Sequence, residues 1–516
     1  ALRTLSPEIY GSIAQETVEL DGLLYVIDRL PQGIEECRYI NLTSDEGYSD
    51  THFTPIIPPK RRRNCYRIDA EQMNIEITRG RSEIYDILTH ITFLFIESHK
   101  IMKQVLINEK GEVNRDWQKL EVAVLQTENL TQDEREIALS HTANILGRTF
   151  KEVSGVYAKF SSAAKPERFL DIIYWLGKLA LDEILLENKR TVTFSSVLRE
   201  TLGQHIHGEQ WADSIKAELY KQGLLKRPIH IISANMHSVQ NSLYAPETLK
   251  TKLKGQNKLQ IFEELSANSK HRDTVAKVAT KEGMTFIKDK SGTNIDVQIF
   301  DTAKYSSGDY ATKIKNLDDA DKPVIVVMDY AFGEQAYETM DELLKPYKSN
   351  DDTAIYLNVS SISIMGKAGI LTGGKGDIMI PSSHIFEGTA DNYPFENGLK
   401  IADLKGHDIG VYDGAMISVL GTSLQNKDLL RYFNRSTWGV VGLEMEGAHY
   451  QKAIQAHSKV RKSIRTDVCV NYAYYASDNP LETGSTLASG GLGTTGVKPT
   501  YLITEIILKQ VFGPSR

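Results

Sequence analysis

From about residue 81 to residue 222 the apolar positions recur at helical spacing. Ile84, Ile87, Leu88, Ile91, Leu94 and Phe95 step by three and four residues, which predicts a helix with one apolar stripe. Thr131 and Glu134 have the spacing of a capping box, opening a helix through Ile137, Leu139 and Ile145 that Gly147 ends. Residues 169–186 are apolar on most sides and predict a buried central helix. Another helix is expected over 210–222, with Gly223 as its stop. A helix is also predicted around residues 7–25. Between these lie about forty residues of weak periodicity, holding Pro58-Pro59 and Arg61-Arg62-Arg63, read as an extended or irregular segment. The arginine triplet is expected to be a solvated surface run, with phosphate binding as its alternative.

The pattern changes at Lys226-Arg227-Pro228. Short β-branched runs follow at 229–234, 296–300, 323–328, 354–364, 417–420, 439–443 and 468–477, separated by helical or polar stretches. Pro499 is expected to start a closing helix with Leu502, Ile503, Ile506, Ile507 and Phe512 on its apolar face. The organisation expected is a mainly α-helical domain of unknown role over residues 1–225, followed by an α/β domain over residues 226–516.

Composition narrows the function classes. The chain has 516 residues, enough for two or three domains, and its net charge of −7 argues against a general affinity for nucleic acid. Cys37, Cys65 and Cys469 are too scattered for a disulfide framework or a zinc knuckle. No apolar run approaches the roughly 18–20 residues that cross a bilayer, and no leader is read at the start, so a cytoplasmic protein without a membrane partner is expected. His205-Ile206-His207 invites a metal reading, but no further ligand cluster accompanies it and a surface loop is expected; no metal site is assigned.

Candidate chemistry gathers where strands end. Glu444 and Glu446 stand where the run 439–443 gives way to a helical pattern, and Asp478 follows the run 468–477. Such edges are where open α/β sheets place ligands, although carboxylates there also serve as helix caps. EMEGA at 444–448 followed by SDNPL at 477–481 resembles the nucleoside phosphorylase and nucleosidase superfamily. The second motif is most similar to AMP nucleosidases; the first is equally like methylthioadenosine/S-adenosylhomocysteine nucleosidases. The resemblance covers the last 200 residues well, 240–320 weakly, and nothing before 225.

The resemblance implies a mixed sheet flanked by helices, a purine nucleoside or nucleotide as partner, no cofactor, and a homo-oligomer. It implies purine N-ribosyl hydrolysis of AMP or an adenine nucleoside. Asp478, flanked by Ser477, would protonate the departing base, and Glu446 would hold the ribose hydroxyls with Met445 against the sugar. Glu444 would orient Glu446, bind a hydroxyl, or cap the helix. The turn at Phe332-Gly333, the glycine pair Gly366 and Gly369 (read as a turn after a strand), and Thr422-Ser423 would approach the ligand. The loop after the first strand departs from the family: Met236, His237 or Ser238 stands where a water-activating glutamate is expected, and His237 is the candidate base. Ile364 occupies the place of the phosphorylases' arginine, and Lys367 offers only a point charge, so water is favoured over phosphate. The alternatives are a purine nucleoside phosphorylase and a non-catalytic purine-nucleotide-binding regulatory protein.

Overall fold

A computed structural model describes residues 5–6, 15–125, 130–161, 165–349, 351–387, 389, 391–421, 425–482 and 492–513. The chain forms two compact units, one of residues 1–203 with 423–428 and one of 204–422 with 429–516. Among the described residues no helix is long and apolar enough to cross a membrane.

In the first unit the expected helices form. Gly80–Val105 buries Ile87, Leu94 and Ile101, and packs on Arg168–Leu185, which buries ten of its residues. Thr131 caps Gln132–Leu146 through a reciprocal box with Glu134, and Gly147 closes it at φ 64°. Within residues 7–25 only 15–25 are described; they hold the start of a helix, Leu20–Ile27. The segment expected to be irregular instead supplies strands. Tyr39–Thr43 lies between Gln72–Glu76 and Thr191–Phe194, parallel to both, and Cys65–Arg67 adds an antiparallel edge. These strands are three to five residues long, too short for a period-two signal to stand out.

The arginine triplet is also different from its expectation. Arg63 is fully buried and meets Asp86 at 2.6 Å and Glu83 at 3.2 Å, while Arg61 meets Asp86 at 2.5 Å. Arg79 reaches Glu83 at 2.6 Å. Glu83 and Asp86 lie on the buried side of Gly80–Val105, and two carboxylates there require cationic partners from neighbouring elements. Arg62 alone is exposed.

The second unit is α/β, built on a ten-stranded mixed sheet. Its strands are Ile229–Ser233 (β1), Met284–Ile287 (β2), Val297–Asp301 (β3), Val324–Met328 (β4), Val359–Ile370 (β5), Ile378–Phe386 (β6), Asn392–Pro394 (β7), Val411–Ser418 (β8), Val440–Glu444 (β9) and Cys469–Asp478 (β10). The order is β7-β6-β8-β9-β5-β1-β4-β3-β2, with β10 pairing both β5 and β6, so β6, β8, β9, β5 and β10 close into a ring. β1 and β4 are wholly apolar but for His230 and Ser233, as expected of strands covered on both faces. The helix Ile206–Lys221 (α1), grouped with the first domain in the sequence reading, belongs to this unit: Trp211, Ala212, Ile215 and Leu219 share one core with β1, β3 and β4. His205 and His207 therefore stand at the start of a helix rather than in a loop.

β5 decides where the site lies. Along one edge it pairs with β10 from Ser361 to Gly369. Along the other it pairs with β1 only as far as Ile364, and with β9 only at Gly369 and Ile370. β1 runs parallel to β5 and β9 antiparallel, so their C-terminal ends point at each other across Met365–Ala368. Four residues of strand leave a gap of about 13 Å. Gly366 and Gly369 lie inside β5, not in a turn: pairing with β10 continues past both, with a register shift between Ala368 and Gly369, and the chain turns only after Ile370. A Cβ on Gly366 would touch the Tyr330 ring at 3.4 Å, and one on Gly369 would press on Leu443 at 3.0 Å.

Candidate active site

Glu444 ends β9, and its carboxylate is fully engaged. Oε2 accepts the backbone N–H groups of Glu446, at 2.5 Å, and Gly447, while Oε1 accepts the hydroxyl of Ser418 at the end of β8. Ser418 Oγ also accepts the Ala448 N–H at 2.9 Å. Of the roles open to Glu444, capping the helix Gly447–Gln455 (α4) is the one its bonds fill. Burial pushes its carboxyl up to about 7, against these bonds.

Glu446 is half-buried. Its Oε1 accepts the Gly333 N–H at 2.9 Å, and its Oε2 the Met445 N–H at 3.3 Å. Gly333 sits at φ +56°, in the left-handed region that suits glycine, just before the helix Gln335–Leu343 (α3). That turn brings the loop after β4 onto the end of β9. Burial, then the charge of Glu444, pushes the Glu446 carboxyl up to about 8.

Asp478 is the last residue of β10 and is paired with Gly369, just past the register shift at Ser477. Gly369 is paired on its other side with Leu443, next to Glu444. Ser477 donates to the Ala368 carbonyl at 3.1 Å and to Asp478 Oδ1. The apolar residues agree: Met445 and Leu443 belong to one buried cluster, against which Phe332 and Leu481 pack. The segments 332–333, 443–446 and 477–481 therefore meet at the same end of the sheet.

His237 is exposed in the first turn of the helix Met236–Leu249 (α2), capped by Asn235. The stretch read as a loop, 235–238, is a helix start, because only Ala234 separates Asn235 from β1 and the Asn235 side chain accepts the His237 N–H. Thr422 and Ser423 lie outside the described residues, as does most of the glycine-rich stretch 484–496.

Three residues were missed. Tyr330 lies over Gly366, its hydroxyl 3.4 Å from that of Tyr475. Tyr450 and Ser233 join their hydroxyls at 3.1 Å, tying α4 to the end of β1. Tyr450 stands four residues after Glu446, which on a helix is a same-face signal; Tyr330 and Ser233 carry no local one.

A metal has one candidate place among the described residues. Ligand atoms of His205, Asp341 and Glu342 lie within 4.8 Å of one another. Asp341 already meets Arg461 at 2.6 Å and His457 at 3.1 Å, and Glu342 meets Lys345 at 2.6 Å, so the carboxylate charge there is balanced by side chains.

The family model described as a family of unknown function, DUF6909, matches residues 2–252 and 258–513. No curated protein matches the chain. Among solved structures, a 5'-methylthioadenosine/S-adenosyl homocysteine nucleosidase from Campylobacter jejuni is similar at 12% identity, over 55% of this chain and 97% of that one, with a TM-score of 0.32. A futalosine hydrolase from Helicobacter pylori is similar at 12% identity over 55% and 98%, with a TM-score of 0.31. Isoform 2 of uridine phosphorylase from Schistosoma mansoni is similar at 13% identity over 58% and 93%, with a TM-score of 0.33. At these identities and scores the likeness assigns no activity to this chain.

Proposed function

The chain belongs to DUF6909, a family of unknown function, and we propose from its site that the second unit hydrolyses the N-ribosyl bond of a purine nucleoside or nucleotide, with AMP or an adenine nucleoside as substrate. One observation carries the reading: a gap in the sheet opposite Met365–Ala368, with Glu446 held at one rim by Gly333 and Asp478 across Gly369 from Leu443.

Breaking an N-glycosidic bond leaves positive charge on the sugar and negative charge on the base. Asp478 would give its proton to the leaving base, help worth about 10²–10⁴ in rate. Glu446 would accept the ribose hydroxyls, and its negative charge would favour the cationic sugar. Glu444, spent on the helix start, acts as a positioning residue. Ile364 is 3% exposed, inside the core, which supports water over free phosphate as the attacking group.

The test is incubation with AMP, adenosine, inosine and methylthioadenosine, each with and without phosphate, with chromatography for the free base. Base release independent of phosphate supports hydrolysis. Strict phosphate dependence with ribose 1-phosphate as product replaces it with phosphorolysis. Ligand-induced rise in Tm without base release replaces both with a non-catalytic binding role.

A further inference from the structure

The first unit holds a cleft that the proposed activity does not use. It has a volume of about 190 Å³ and lies between Gly80–Val105, Arg168–Leu185 and the parallel strands Tyr39–Thr43 and Thr191–Phe194. Ile40, Leu94, Leu176 and Leu179 make an apolar interior, and Phe95, 44% exposed, stands at the mouth. Protein interiors rarely leave room of this size, and an apolar cavity of about 150 Å³ suffices for a benzene ring.

Two arginines, Arg190 and Arg38, are among the residues that line the cleft. Arg190 is fixed by Glu183 through Nε and Nη2, each at 2.7 Å, and Nη2 also reaches Ser98 at 2.8 Å. Its plane rests on the Phe95 ring at 4.9 Å, and Nη1 has no hydrogen-bond partner among the described residues. Arg38 is 97% buried, anchored at Nη2 by Asp182 at 3.0 Å and at Nη1 by the Asn188 carbonyl at 2.5 Å. Its Nε makes no hydrogen bond but is ion-paired with Glu71 at 3.5 Å.

We propose that the first unit is a binding domain for a small aromatic or branched aliphatic carboxylate, its apolar body between Leu94, Leu176 and Leu179 and its carboxylate facing Arg190 and Arg38. The anchoring acids hold both guanidinium groups rigid in advance of binding, so little side-chain freedom is lost when the ligand arrives. The apolar walls and the volume of about 190 Å³ suit a small monocarboxylate and not a nucleotide.

Calorimetric titration of the full chain with phenylacetate, and separately with phenylacetamide, tests it. The two probes share size and differ in charge. One-to-one saturable binding of the acid, about tenfold or more tighter than the amide, is expected from charge-assisted hydrogen bonds. Absence of saturable binding by the acid, or equal affinity for the amide, overturns the proposal. Location is read from Leu179→Trp and Leu176→Trp, each of which fills the cleft. Loss of binding in a variant with native circular dichroism supports the assignment, and retained affinity in such a variant overturns it. Should both variants unfold, the wild-type titrations still decide.

Discussion

The backbone N–H of Gly333 donates to Glu446 Oε1 at 2.9 Å, joining residues 113 positions apart in the chain. The bond ties the loop after β4 to the start of α4. It fixes the rotamer of the carboxylate that the proposed reaction would use to hold the sugar. It also leaves Glu446 with a fixed acceptor geometry before any ligand arrives, the preorganisation that electrostatic catalysis relies on.

Asp478→Asn keeps the shape of the residue and removes its proton. Base release from the preferred substrate is expected to fall by about 10²–10⁴. The Tm should move by less than about 2 °C, since the position is half-buried at a strand end. Turnover by chromatography and melting by circular dichroism check the two halves; unchanged turnover would remove Asp478 from the mechanism.

Glu446→Gln should change how stability depends on pH. The folded carboxyl lies at about 8, above its unfolded value near 4.5, so the folded state binds the extra proton. Wild-type stability therefore falls as pH rises from the unfolded value through the folded one, and the loss is complete above it. Glutamine cannot ionise, and its amide oxygen can still accept the Gly333 N–H. The variant should melt higher than wild type at pH 9, with the difference vanishing near pH 4. Melting curves across that range, with a constant difference at every pH, would contradict the cause given.

Ser418→Ala strips a donor from Glu444 Oε1 and an acceptor from the Ala448 N–H, both buried. A cost of about 1–3 kcal/mol is expected for leaving such groups unsatisfied. The Glu444 carboxyl should also rise further. Urea unfolding gives the first quantity, and a steeper loss of stability between pH 6 and 9 gives the second.

Glu83→Ala removes the acid shared by Arg79 and Arg63 in the first unit. Breaking one member of a buried pair leaves uncompensated charge, costing about 3–5 kcal/mol. Double replacement of Glu83 and Arg79 by Leu and Met should cost less than the single change. Denaturant melts of both variants decide, and equal costs would show that the ion pair itself carries little.

The local elements were legible in the chain because their signals are local. The stripe of Ile84, Ile87 and Leu94 formed its helix, the Thr131 and Glu134 box capped another, and the apolar runs before Glu444 and Asp478 became β9 and β10. Motif order was legible too, since EMEGA and SDNPL each sit at a strand end. The glycine pair in β5 was misjudged for the opposite reason. Glycine marks a turn only when no neighbour holds the chain extended, and β10 does so here.

Sequence alone thus determined the long helices of the first unit and the strands that end at Glu444 and Asp478, because hydrophobic period and capping chemistry act over a few residues. Tertiary structure decided what those ends face. The gap opposite Met365–Ala368 exists because β1 and β9 share one edge of β5 from opposite directions. The burial of Arg63 exists because Glu83 and Asp86 lie beside it in the folded unit. Both are pairings between distant segments, settled by strand register and charge balance that no short window of sequence contains.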